Sequence, residues 1–118
     1  CEETLRVRQK YPKALYNKGV ALADLGELDE ALSCYDTCLA MNPGVAIVLT
    51  NKGVVLARLQ RYSEAEGALL ESLEIDPGDA TAWSNLGICY SRIGRDSLAM
   101  QAFAKARVLA GGKDPVVR

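Results

Sequence analysis

The chain has 118 residues, 49% hydrophobic and 25% charged, and its fourteen basic and fifteen acidic residues leave a net charge of −1. Such proportions are ordinary for a soluble globular domain and argue against disorder. The near-neutral balance gives no field toward nucleic acid or a membrane surface, and no apolar run reaches the ~18 residues of a membrane span, so neither class of partner is expected.

The opening stretch, residues 1–10, carries charges throughout and lacks the apolar core of a signal peptide. Because the chain starts at Cys1 rather than methionine, it reads as a piece of a longer protein whose targeting segments are absent. Leu5 and Val7 fall where Leu39 and Met41 stand later, so residues 1–11 read as the tail of a preceding unit or a short leading helix. Apolar residues at helical spacing then predict a helix over 13–25, with Leu15, Leu22 and Leu25 on one face. Gly26 breaks it, and a second helix over 28–41 carries Leu28, Ala31, Leu32, Tyr35, Cys38 and Leu39. Asn42, Pro43 and Gly44 end that helix, since proline cannot continue it and glycine tolerates the turn. The same pattern predicts helices over 46–59, 62–75, 80–93 and 96–109.

The pattern is a repeat. Gly19, Gly53 and Gly87 are 34 residues apart, and each is preceded two places earlier by an asparagine: Asn17, Asn51 and Asn85. Divided as 12–45, 46–79 and 80–113, with 114–118 a tail, the units align Leu15, Leu49 and Trp83. They also align Leu22, Leu56 and Tyr90; Ala31, Ala65 and Ala99; and Tyr35, Leu69 and Phe103. A glycine in the first helix and an alanine in the second let the two approach closely. One hairpin cannot bury its apolar face alone, so the units must stack into an all-α solenoid with a continuous core.

In the third unit Trp83, Leu86, Gly87, Tyr90, Ala99, Phe103 and Ala106 resemble the tetratricopeptide repeat family, and the resemblance covers residues 12 to about 110. It implies a right-handed superhelix of three helix-turn-helix repeats whose concave groove binds a protein or peptide. The departures are Lys18 and Lys52 in place of leucine, Gln60 in place of a turn glycine, Asp96 in place of an apolar residue, and Gly111 in place of the closing proline.

Helical spacing around the glycines assigns to that groove Lys13, Tyr16, Asn17 and Val20, then Thr50, Asn51, Val54 and Arg58, then Ser84, Asn85, Ile88 and Arg92. The asparagines form an amide stripe able to engage the N–H and C=O of an extended backbone about every third residue, if stacked helices lie roughly 10 Å apart. Val20, Val54 and Ile88 form an apolar stripe for ligand side chains. Arg58 and Arg92 share one offset and Asp24 holds it in the first unit, which favours acidic residues toward one end of a ligand. The family's carboxylate clamp for chaperone tails would use the positions of Tyr16, Val20, Asn51, Thr81 and Asn85. Only Asn51 matches, so tight binding of such tails is not expected.

No catalytic constellation, cofactor or metal site is expected: the chain has no histidine or glycine-rich phosphate loop, and Cys34 and Cys38 lack further ligands. Its four cysteines read as buried free thiols and favour a reducing, cytoplasmic compartment. The leading expectation is a protein–protein interaction scaffold. The alternatives are a spacer or self-assembly element, associating through the uncapped Phe103 and Val108 end, or the recognition arm of an enzyme outside these residues.

Overall fold

The computed structural model describes residues 2–111, with side chains from residue 12 onward. Cys1, the end of the third unit and the 114–118 tail lie outside the described residues. Six helices follow one another: α1 (Glu2–Asp24), α2 (Leu28–Met41), α3 (Ala46–Arg58), α4 (Tyr62–Ile75), α5 (Ala80–Arg92) and α6 (Asp96–Leu109). They pair as hairpins α1/α2, α3/α4 and α5/α6, and the hairpins stack in chain order. The radius of gyration is 15.9 Å, against about 13.5 Å for a compact globule of this length, as expected of a solenoid.

In place of a separate leading segment, α1 runs unbroken from Glu2 through Pro12. The Pro12 carbonyl accepts a hydrogen bond from Cys38 Sγ at 3.3 Å, and 34 residues later the Ala46 carbonyl accepts one from Ser72 Oγ at 2.9 Å. The proline therefore occupies an ordinary repeat position.

The three intra-hairpin turns share one geometry. A residue with positive φ ends the first helix, namely Gly26 at 84°, Gln60 at 64° and Gly94 at 83°. The next amide reaches back five residues, as Glu27 to Leu22, Arg61 to Leu56 and Arg95 to Tyr90, each at 2.8 Å. This is a Schellman ending, which favours glycine at the left-handed position. Gln60 adopts it at a cost.

The repeated glycines lie where hairpin helices touch. A Cβ on Gly19 would stand 2.6 Å from the Tyr35 ring, one on Gly53 2.6 Å from Leu69 Cγ, and one on Gly87 2.8 Å from the Phe103 ring. Ala31, Ala65 and Ala99 are buried opposite them. Tyr35 and Leu69 are fully buried, whereas Phe103 on α6 is 36% exposed. Cys34, Cys38 and Cys89 are free and buried among the core residues.

Hairpins two and three are joined by a polar cluster. Thr50 Oγ1 donates to Asp79 Oδ2 at 2.8 Å and lies 2.6 Å from Ser72 Oγ. The other carboxylate oxygen of Asp79 caps α5 by accepting from the Ala82 amide at 3.2 Å. The equivalent positions between hairpins one and two hold Tyr16, Cys38 and Val45.

Candidate functional site

The first helices of the hairpins, α1, α3 and α5, line one side of the stack, and two recesses open between them. The first, of about 240 Å³, is lined by Val20, Asp24, Asn51, Val54 and Arg58, with Tyr16 and the buried Tyr35 behind them. The second, of about 280 Å³, is lined by Val54, Arg58, Asn85, Ile88 and Arg92, together with Ala57, Gln60 and Tyr62. The two five-residue sets are related by the 34-residue period. The groove is thus one site presented twice, with Val54 and Arg58 shared between its halves.

The residues of the apolar stripe line these recesses: Val20 and Val54 are half-buried and Ile88 is 39% exposed. Arg58 Nη1 donates to the Ala23 carbonyl at 3.0 Å, which holds the guanidinium across the junction of the first two hairpins. Tyr16 stacks at a tilt on Tyr35, ring centroids 6.2 Å apart. Burial, with smaller contributions from Tyr16 and Asp24, pushes the Tyr35 hydroxyl up to about 12.

The amide stripe is partly engaged within the molecule. Asn51 Nδ2 donates to the Tyr16 hydroxyl at 2.9 Å, and Asn85 Nδ2 donates to the Thr81 carbonyl of its own helix at 2.9 Å. Asn17 is exposed and lines neither recess.

Three other assignments differ from the sequence expectation. Thr50 is 3% exposed and turns into the junction with Ser72 and Asp79, because a small hydroxyl there finds two buried polar partners. Lys13 borders a separate recess with Tyr16, Cys38 and Ile47. Ser84, at the third equivalent of Tyr16 and Thr50, borders another with Phe103, Ala106 and Arg107. The sequence reading missed Gln60 and Tyr62 as lining residues. The signal for Gln60 was its presence where the other units carry a turn glycine.

Among the described residues no group of three or more cysteines, aspartates and glutamates is placed to hold a metal ion, and no helix is long and apolar enough to cross a membrane.

The sequence matches family models described as tetratricopeptide repeat over residues 2–37, 16–80 and 68–102. No curated protein matches it. Among solved structures, the second such domain of Spaghetti (RPAP3), bound to the HSP90 peptide SRMEEVD, is similar at TM-score 0.84 and 21% identity, covering 91% of this chain and 98% of that one. The Arabidopsis OM64 domain is similar at TM-score 0.86 and 20% identity, covering 91% and 88%. MamA from Desulfovibrio magneticus is similar at TM-score 0.80 and 29% identity, covering 95% and 67%. The repeat models span most of the sequence and the fold is the same all-α, right-handed solenoid, so the chain belongs to the tetratricopeptide repeat family.

Proposed function

We propose that the chain is a non-catalytic interaction module that binds a segment of a partner protein, extended or helical, along the α1/α3/α5 groove. The observation that carries this is the duplicated recess: apolar Val20, Val54 and Ile88 side chains alternate with Asn51, Asn85, Arg58 and Arg92 at a constant period. Similar domains hold chaperone-derived peptides, as the HSP90 peptide complex illustrates. The chaperone clamp positions here hold Tyr16, Val20, Thr81 and Asn85 around the single match Asn51, so the ligand differs from such tails.

The test is a selection of displayed random peptides on the 118-residue chain and on Val54→Asp, a variant that places a charge in both recesses. With helix content unchanged by circular dichroism, the wild type enriches peptides that the variant does not retain. Equal enrichment by both proteins, or none by either, refutes the assignment.

A second role as an assembly element is favoured by one observation: Phe103 is 36% exposed at the repeat position where Tyr35 and Leu69 are buried. Sedimentation that stays monomeric at high micromolar concentration refutes it for this chain.

A further inference from the structure

The two halves of the groove differ in charge. In the α1/α3 recess Asp24 stands beside Arg58, whereas the α3/α5 recess is lined by both Arg58 and Arg92 and by no carboxylate. Among the described residues neither arginine forms an ion pair; the salt bridges are Lys52 with Asp36 and Arg61 with Glu64. Arg58 spends one N–H on the Ala23 carbonyl, which fixes the group, and a guanidinium has five such donors.

Gln60 adds a second observation. It takes a left-handed φ of 64° where Gly26 and Gly94 serve the other turns, and it lines this same recess. Glycine would relieve the backbone there but would remove that polar group. Asn85 lies alongside with one N–H spent on Thr81. Arg58, Arg92, Gln60 and Asn85 therefore line one recess together with Val54 and Ile88, a set of residues suited to a carboxylate carried on a short methylene stem.

We propose that the α3/α5 recess is the specificity pocket for an aspartate or glutamate of an extended partner segment, and that the α1/α3 recess takes an apolar residue three positions away. The spacing follows from stacked helices roughly 10 Å apart and an extended chain that advances about 3.3 Å per residue. The inference rests on the groove being a peptide site.

The experiment sequences the peptides that wild type retains and Val54→Asp does not, then measures their affinity for wild type, Arg92→Glu and Gln60→Gly. The expected pool carries Asp or Glu three places from Leu, Ile, Val or Phe. Replacing that acid by its amide weakens binding by about 10-fold, and Arg92→Glu does so by about 30-fold, the range of one charge-assisted hydrogen bond. Arg92→Glu used as bait enriches Lys or Arg at the same place. Gln60→Gly melts higher yet binds about 3-fold more weakly, a combination that a merely structural role would not produce. If the Val54-dependent peptides show no acidic preference and ignore Arg92→Glu, the carboxylate pocket is refuted while the groove stands. If no peptide depends on Val54, both fall.

Discussion

Replacing Gly53 by alanine sets helix propensity against packing. In an exposed helix the change stabilises by about 1 kcal/mol. Here the new methyl carbon would lie 2.6 Å from Leu69 Cγ and 2.7 Å from Cδ2, about 1 Å inside the separation at which carbon atoms attract. Leu69 has no exposed surface through which to retreat, and overpacking of this kind costs about 1–3 kcal/mol. The net expectation is a loss of up to about 2 kcal/mol, or up to roughly 8 °C in Tm for a chain of this length. Gly87→Ala presses on Phe103 at 2.8 Å, but that ring is 36% exposed and can swing outward. Its steric cost and propensity gain should nearly cancel, within about 2 °C. Thermal melts of the two variants by circular dichroism compare them directly. Equal shifts, or a stabilised Gly53→Ala, would show that close helix approach is not why glycine recurs here.

Gln60→Gly is expected to stabilise by about 1 kcal/mol in urea unfolding by relieving the left-handed backbone. Thr50→Val removes the donor to Asp79 and should cost about 1–3 kcal/mol, with Asp79→Ala costing a similar amount through loss of the α5 cap. In the groove, Asn51→Ala with Asn85→Ala should weaken a selected peptide about 10-fold in fluorescence anisotropy, one modest hydrogen bond from each, while Asn17→Ala leaves it unchanged. Burial, aided by Glu66, pushes the Cys89 thiol from 9.0 to about 11, and burial pushes the Tyr35 hydroxyl from 10.0 to about 12. Both folded values are raised, so their contribution to stability is intact below pH 9 and is lost as pH rises through 9–12. Urea midpoints measured across that window should fall steadily, and a flat profile would contradict the burial of these groups.

The helices were legible because their signals are local. Apolar spacing placed α2, α4 and α6 at the observed bounds, and α3 and α5 end one residue early because Leu59 and Ile93 already belong to the turn. The glycine and alanine positions were legible as a packing demand because the period repeats them. Thr50 was misplaced for the opposite reason. Its offset matches Tyr16 and Ser84, but its direction is set by Ser72 and Asp79 on other elements, which helical spacing cannot report. Gln60 showed as a departure from glycine, while its place beside Arg92 depends on the next hairpin folding over it.

The Thr50, Ser72 and Asp79 cluster also bears on how the chain avoids assembling itself in the wrong order. Three hairpins built on one plan present nearly interchangeable faces, so a nascent third hairpin is a plausible competitor for the place of the second. Docked against the first, it would bring Asp79 up against Cys38 and Tyr16 instead of Thr50 and Ser72, and would leave its carboxylate without the threonine donor. Half-buried without that partner, it loses more than a kilocalorie or so of hydrogen bonding. This polar cluster of Thr50, Ser72 and Asp79 thus works as an address, written into one seam of the stack, that tells the third hairpin which neighbour is its own.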